Sequence, residues 1–149
     1  LEDYVAQAQG FQSTLASLIT EGACAKFPNL KFVLMESGVT WLPGFLWRLS
    51  KFWRGLRFEV PWVDRPPLDI VRDQIRLTMQ PFDAPEDETI VAQLVDQLQS
   101  DELLLFSSDY PHWQYDGADP IPAGVPSSLI KKIKVDNPLS VYTRIGGKA

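Results

Sequence analysis

A segment near residue 105 carries the side chains of this sequence that are best suited to proton transfer and metal binding. Leu103 to Phe106 is a run of large apolar residues that ends abruptly at polar ones. Ser107, Ser108, Asp109 and His112 follow it, and His112 is the only histidine of the chain. A carboxylate and an imidazole at this spacing can share a proton, and both are common ligands of divalent metals.

Asp109 has two interpretations on the residues alone. A carboxylate at a strand end that faces a cation stays ionised and can accept a proton from metal-bound water, which would make Asp109 both a metal ligand and a catalytic base. The stretch Ser-Asp-Tyr-Pro is also good turn chemistry, so a capping or turn aspartate is the alternative. Asp109 and His112 together fall short of the three or four protein ligands that zinc takes.

The apolar run itself predicts a strand over 103–108 that is buried on both faces, as in a parallel sheet. Chemistry in α/β proteins lies at the carboxyl ends of such strands, so neighbouring strands must position this one. Two segments fit that role: residues 30–35, closed by Glu36-Ser37-Gly38, and residues 74–80. The second alternates apolar and polar residues, which predicts one less apolar face.

Helical periodicity and capping residues fill the segments between the strands. The predicted helices are 1–27 with a bend or break at Gly10, 40–53, one or two turns at 68–72, 87–99, a short helix capped by Ser127 or Ser128, and a last helix with Asn137 as N-cap that stops at Gly146-Gly147. Residues 54–64 and 113–125 are predicted loops. Alternating helices and strands predict parallel pairing with right-handed crossovers. Three parallel strands leave two unpaired edges, so the pattern fits part of an eight-stranded barrel better than a complete domain.

Composition narrows the function class. A length of 149 residues with 45% apolar and 22% charged residues is typical of one globular domain with a real core. The net charge of -5 argues against a nucleic-acid partner. Within these residues no apolar stretch approaches membrane-spanning length and none has the pattern of a signal peptide, so we expect a cytoplasmic protein without a membrane partner. Cys24, among small residues, is predicted to be a buried thiol and not a nucleophile.

Several motifs occur in one order along nearly the whole chain: Phe32 to Gly38 with Trp41-Leu42-Pro43 and Arg48-Leu49, then Gln80-Pro81, Leu105 to His112, and Asn137 to Tyr142. This ordered set resembles the amidohydrolase-related proteins. They are the branch of the metal-dependent amidohydrolase superfamily that includes aminocarboxymuconate-semialdehyde decarboxylase. The resemblance implies a (β/α)8 TIM barrel, of which residues 1–149 would be the C-terminal portion, about strands six to eight and their helices.

The resemblance also implies a chemistry. The parent protein would be a metal-dependent hydrolase or carboxy-lyase acting on a small carboxylated substrate. Asp109 matches the strand-eight aspartate that ligates the divalent metal of the family, usually zinc. The family's His-x-His of strand one and the histidine of strand five have no counterpart in this sequence. We therefore expect residues 1–149 alone to be inactive and to bind no stoichiometric metal. Glu36 stands where decarboxylase members carry a histidine, which argues against decarboxylation.

Four residues are candidates for substrate binding, and each has a structural alternative. They are Glu36, Trp41, Arg48 and His112. Glu36 could instead form a salt bridge at its strand end, and His112 could be an exposed loop histidine, which its place after a proline favours. For Trp41 the favoured role is packing of its helix, and for Arg48 it is a structural ion pair.

An aromatic cluster surrounds the irregular segment after the second predicted helix: Trp47, Phe52, Trp53 and Trp62. It could be a lid, a self-contained core or a contact between subunits, because aromatic residues are enriched at interfaces. A small-molecule substrate and a homo-oligomeric assembly are therefore the expected partners. The alternative to an enzyme is a non-catalytic half-barrel, or an unrelated small α/β domain, that self-associates through exposed strand edges.

Overall fold

A computed structural model describes residues 1–113, 115 and 117–146 of the chain. Within these residues a parallel sheet is formed by β1 (Phe32–Leu34), β2 (Ile75–Thr78) and β3 (Leu104–Leu105), in the order β1-β2-β3. The parallel pairing predicted from the alternation of helices and strands is confirmed. Each strand is shorter than its predicted segment, because only a few residues of each segment pair with a neighbouring strand. β3 pairs with β2 only through Leu77↔Leu104 and Thr78↔Leu105.

Helices connect and cover these strands. They are α1 (Glu2–Thr20), α2 (Ala23–Lys26), α3 (Leu42–Leu56), α4 (Pro67–Gln74), α5 (Glu88–Leu98), α6 (Ser127–Lys131), α7 (Asn137–Val141) and α8 (Thr143–Gly146). A 3-10 turn, Arg57–Glu59, follows α3, and a π-helical turn, Lys132–Asp136, joins α6 to α7. None of the helices in the described ranges combines the length and apolar character needed to span a bilayer. The predicted stop at Gly147, and residues 114 and 116 of the predicted loop, lie outside the described residues.

Several helices differ from their predicted bounds. The predicted helix 1–27 ends at Thr20, and α2 begins only after Gly22, whose φ of 83 interrupts the helix. The predicted last helix is divided at Tyr142 into α7 and α8.

At Gly10, by contrast, α1 continues without a break. A glycine inside a helix costs only about 1 kcal/mol relative to alanine. Burial of Leu15 and Ile19 on the same helix outweighs that cost. α3 continues to Leu56, so the first residues of the predicted loop 54–64 are helical.

The polar face predicted for residues 74–80 exists, but it is buried. Arg76, Thr78 and Gln80 are all buried together with the apolar Ile75 and Leu77. The guanidinium of Arg76 donates to the carbonyl oxygen of Ile75 at 2.7 Å and forms an ion pair with Glu102 at 3.2 Å. Protein groups therefore bond the two terminal nitrogens of the guanidinium, whereas its buried Nε has no hydrogen-bond partner among the described residues.

Asn137 is not the N-cap that the sequence predicts, because the helix enters it continuously from α6 through the π-helical turn. Its side chain is buried and donates through Nδ2 to the carbonyl oxygens of Asp101 at 2.9 Å and Leu104 at 3.0 Å. The amide of Phe106 donates to the carbonyl oxygen of Ile133 at 3.0 Å. Leu104 O and Phe106 N alternate with the groups that bond β2, so these bonds cover the outward edge of β3.

Candidate active site

An acidic residue in left-handed backbone conformation follows each strand of the sheet. Glu36 follows β1 with φ 57, Asp83 follows β2 with φ 61, and Asp109 follows β3 with φ 59. This region of φ is uncommon for residues other than glycine, although aspartate tolerates it better than most. Strained backbone of this kind tends to cluster at functional sites. The carboxyl edge of the sheet is therefore the candidate active site.

Side-chain hydroxyls hold the strand ends together beyond the last backbone pairing. Thr78 Oγ1 accepts a hydrogen bond from the amide of Glu36 at 2.9 Å. Ser107 Oγ accepts one from the amide of Gln80 at 3.1 Å. The first bond joins the residue after β1 to β2, and the second joins the segment after β2 to the segment after β3. The three strand ends are therefore linked in the same order as the strands themselves.

A cavity of about 640 Å³ opens at this edge, between the strand ends and the start of α1. Its described lining residues are Tyr4, Val5, Gln7, Ala8, Glu36, Ser37, Gln80, Pro81, Asp83 and Trp113. Two of them are carboxylates and two are large aromatics, and no lysine or arginine is among them. The cavity is large enough for a small organic molecule.

Gly38 allows the Asp83 carboxylate to approach the turn after β1. A Cβ atom at position 38 would overlap Asp83 Oδ2, and Gly38 has a φ of 71 that side-chain-bearing residues rarely adopt. Although Asp83 is exposed as a whole residue, burial of its carboxyl group raises the pKa above the ordinary value of 3.8. The ionised form of Asp83 is therefore less favourable in the folded protein than in the unfolded chain.

Replacing Asp83 by Asn should stabilise the protein at neutral pH. A raised pKa means that the folded state holds the proton more tightly, so folding stability falls as pH rises from the unfolded pKa through the folded one. Asp83→Asn removes this cost and keeps a side chain that tolerates positive φ, and we expect Tm at pH 7 to rise by about 1–2 °C. The gain should vanish near pH 3, where the carboxyl is protonated in both states. Thermal melts across pH check this, with the exposed Asp64→Asn as control; a gain that is equal at both pH values would contradict it.

Asp109 and His112 form a side-chain pair at the end of β3. His112 Nδ1 lies 2.7 Å from Asp109 Oδ2, and the amide of His112 donates to the carbonyl oxygen of Asp109, also at 2.7 Å. The Asp109 side chain is only 11% exposed, whereas that of His112 is 39% exposed. An imidazole that donates from Nδ1 leaves Nε2 outward, and Asp109 keeps its second oxygen for another partner.

Trp113 connects this pair to the cavity. Its ring centroid lies 5.8 Å from that of His112 and 5.8 Å from that of Tyr4, the second contact being edge to face. Trp113 and Tyr4 both line the cavity, whereas Asp109 and His112 are not among its described lining residues. The pair therefore lies next to the cavity, separated from it by one indole ring.

The other residues that the sequence predicts as substrate-binding candidates lie partly at the cavity and partly away from it. Glu36 lines the cavity. Trp41 is partly buried, donates from Nε1 to the carbonyl oxygen of Ser37 at 2.8 Å and packs edge to face on Phe45. Arg48 lies on the exposed side of α3, with its guanidinium carbon 5.0 Å from the ring centroid of Phe52. The structure thus brings Glu36 to the cavity and leaves Arg48 away from it.

The described residues do not form a metal site by themselves. Among them, no three His, Cys, Asp or Glu side chains converge in a way that could hold a metal ion. Asp109 offers one carboxylate oxygen, because its other oxygen is bonded to His112. A divalent metal at this edge would need most of its ligands from residues outside this set.

Sequence reasoning did not identify Asp83, Tyr4 or Trp113 as parts of the site. The signal for Asp83 was its position just after Gln80-Pro81, where the second strand ends. Tyr4 has no comparable signal, because it reaches the cavity only through the position of the start of α1 near the strand ends. Trp113 lies at the start of a predicted loop, and its contacts depend on how that loop folds back.

Comparisons with known proteins find one matching family and two solved structures with a similar fold. Residues 5–144 match the family model described as Amidohydrolase. An amidohydrolase from Mycobacterium avium subsp. paratuberculosis is similar with a TM-score of 0.67 and 23% identity, covering 91% of this chain and 33% of that chain. A 5-carboxyvanillate decarboxylase from Sphingomonas paucimobilis is similar with a TM-score of 0.61 and 19% identity, covering 86% of this chain and 38% of that one. No curated protein matches in sequence. At these identities the likeness to the two structures is one of fold, and the chain spans about a third of their length.

Proposed function

The chain belongs to the amidohydrolase family, and from this premise we propose that residues 1–149 are the C-terminal portion of a (β/α)8 barrel enzyme. They would supply about strands six to eight and their helices. Three parallel strands joined by helices, in sequential order, support this assignment. The length relation to the two solved structures supports it further.

The proposed activity is that of a metal-dependent hydrolase or carboxy-lyase on a small carboxylated substrate in a cytoplasmic protein. The observation that carries this proposal is the Asp109–His112 pair, held on left-handed backbone at the end of a buried strand. The end of a barrel strand is where the catalytic residues of this architecture lie. Hydrolysis is the favoured reaction, because Glu36 replaces the histidine that the decarboxylase branch carries at this position.

Asp109 would accept the proton in this scheme. Its carboxylate is shielded from solvent and is oriented by His112, so it is positioned for proton transfer without first reorganising. His112 holds the carboxylate in position through Nδ1, and its exposed side gives a proton a route to solvent. Glu36 and Asp83 would accept hydrogen bonds from donor groups of the substrate, and Trp113 would pack against it. A cation that holds the substrate carboxylate would come from outside residues 1–149, because no lysine or arginine is among the described lining residues.

We assign Asp109 as one ligand of a divalent metal, zinc by expectation, in the whole protein. Such a metal supplies a Lewis acid and lowers the pKa of bound water when present. The remaining ligands would lie outside residues 1–149, since the described residues do not converge on a site.

The test uses the longest protein that the gene encodes, dialysed against a chelator and then supplied with zinc. We expect zinc-dependent turnover of members of a panel of small carboxylated amides, lactones and aromatic acids, followed by NMR and by CO2 release. Residues 1–149 alone should show neither turnover nor stoichiometric zinc in a titration, because one carboxylate is not a zinc site. Turnover that is unaffected by the chelator, or no turnover of any compound, would overturn the proposal.

A further inference from the structure

The segments that form the carboxyl edge of the sheet contain no lysine or arginine. Residues 1–25 include α1, residues 32–47 include β1 and the turn after it, and residues 77–130 run from the end of β2 past β3. Together these segments hold 14 of the 19 acidic residues of the chain and none of its 14 lysines and arginines. The only histidine, His112, also lies there and is already bonded to a carboxylate. The charge at this edge is therefore predominantly negative.

Two carboxylates lie close together at the cavity of about 640 Å³ on this edge. Asp83 Oδ2 occupies the space that a Cβ atom at Gly38 would need, and Glu36 lies two residues earlier on the same turn. Thr78 Oγ1 accepts a hydrogen bond from the amide of Glu36 at 2.9 Å and so fixes that turn. Among the described residues no ion pair joins either carboxylate to a lysine or arginine. A positive charge in the cavity would supply the missing counter-charge.

Two exposed aromatic rings line the same cavity. Trp113 is 72% exposed and Tyr4 is 47% exposed. Their planes meet at 83° with the centroids 5.8 Å apart, and Trp113 Nε1 donates to the hydroxyl oxygen of Tyr4 at 3.4 Å. This contact holds the two rings nearly perpendicular, so that they form a corner. The faces of aromatic rings attract cations, tryptophan most strongly, and organic ammonium groups are commonly bound by such rings.

An organic cation fits this cavity better than a metal ion does. Among the described residues no three His, Cys, Asp or Glu side chains converge on one point, and the oxygen ligands that a hard cation takes are therefore too few. The volume of the cavity suits a small organic molecule. A protonated amine donates through its N–H groups to carboxylates, and these charge-assisted hydrogen bonds are strong. Its carbon substituents can pack against the aromatic corner.

We propose that this cavity binds the protonated amino group of the substrate, with Glu36 and Asp83 accepting its hydrogen bonds and the two aromatic rings packing against it. The inference rests on the proposed function, and it narrows the small carboxylated substrate to a compound that also carries an amine. The two ends of this compound are held by different groups, since the cation for its carboxylate comes from outside residues 1–149. Asp109 lies beyond the ring of Trp113, so the reacting bond is separated from the ammonium group by that ring.

NMR titrations with two probes of nearly equal shape test the site. The protein is the longest one that the gene encodes, dialysed against a chelator, and the indole N–H signal of Trp113, assigned by its loss in Trp113→Phe, reports binding. Benzylamine is protonated at neutral pH, whereas benzyl alcohol is uncharged. We expect benzylamine to bind at least about 10-fold more tightly, because only the ammonium group gains from both carboxylates. Equal affinities would overturn the proposal.

A double variant with a matched control identifies the groups responsible. Glu36→Gln/Asp83→Asn removes both charges and keeps the shapes of the side chains, and it should abolish the preference for benzylamine while leaving the affinity for benzyl alcohol nearly unchanged. Glu59→Gln/Asp64→Asn makes the same change at exposed positions away from the cavity and should keep the preference.

Circular dichroism establishes that the variants are folded before their affinities are compared. Should the double variant not fold, each single variant, Glu36→Gln and Asp83→Asn, should weaken benzylamine binding by about 3-fold or more. A preference that persists without the two carboxylates would overturn the proposal.

Zinc distinguishes an amine site from a metal site. Zinc should not displace benzylamine, because the amine and the metal occupy different places. Displacement by zinc would overturn the proposal and identify the two carboxylates as metal ligands.

Turnover separates this inference from the function on which it rests. Members of the substrate panel that carry an amine should have a lower KM than their hydroxyl analogues. Turnover with equal KM for the two kinds of compound would leave the proposed function standing and overturn this inference. Selective benzylamine binding without turnover of any compound would support the amine site and overturn the proposed function alone.

Discussion

Replacing Asp109 by Asn in the longest protein that the gene encodes should lower kcat about 10²–10⁴-fold, the range expected for loss of a general base. Asn is nearly isosteric with Asp and tolerates positive φ, so the turn with φ 59 should persist. The amide, unlike the carboxylate, cannot accept a proton at neutral pH. The measurement is kcat and KM for whichever carboxylated substrate is turned over.

The controls for Asp109→Asn separate chemistry from folding. Asp69→Asn makes the same change in α4, which precedes β2 at the opposite edge of the sheet, and should leave kcat unchanged. His112→Gln retains a donor side chain but removes the imidazole, and it should lower kcat less than Asp109→Asn does. Equal kcat values for Asp109→Asn and Asp69→Asn, with both proteins folded, would exclude a catalytic role for Asp109.

Replacing Asn137 by Ala should reduce the free energy of unfolding by roughly 2–4 kcal/mol, which combines two lost hydrogen bonds with a small cavity. The side chain of Asn137 is 4% exposed, and its Nδ2 bonds the carbonyl oxygens of Asp101 and Leu104. Both carbonyls would lose this donor in a place that water reaches poorly. Because Leu104 belongs to β3, the loss also loosens the strand that carries Asp109. Urea denaturation measures the effect.

An exposed asparagine provides the matched control for Asn137→Ala. Asn29→Ala, in the loop before β1, should change the free energy of unfolding by less than about 0.5 kcal/mol. A loss below about 1 kcal/mol for Asn137→Ala would show that the two carbonyl oxygens find other donors.

The architecture could be predicted from the sequence because its signals are strong and local. The apolar runs before Glu36 and before Ser107 predict buried strands, and residues 87–99 have a clear apolar stripe. The structure adds an N-cap that the sequence analysis did not name, since the Asp87 carboxylate accepts hydrogen bonds from Thr89 N and Ile90 N at the start of α5. The motif order around Asp109 predicted the family, which the match over residues 5–144 confirms.

The remaining features depend on distant contacts that no local pattern encodes. Asn137 has the sequence of a helix cap, but its amide is used by carbonyl groups more than thirty residues earlier in the chain. The polar residues of 74–80 suggested a less apolar face, yet Arg76 is buried there, with local carbonyl oxygens and Glu102 bonding its two terminal guanidinium nitrogens. The role of Asp83 beside Gly38 depends on a turn geometry that becomes evident only when β1 and β2 are paired.

The left-handed backbone at Asp109 has an evolutionary consequence. Glycine and asparagine are the residues that best tolerate this conformation besides aspartate, and both are one nucleotide away from the aspartate codons. A descendant gene can therefore lose the carboxylate in a single step while the turn and the sheet persist. On the proposed function, such a descendant would keep the fold without the proton acceptor, and the residue at position 109 would distinguish catalytically inactive relatives from active ones.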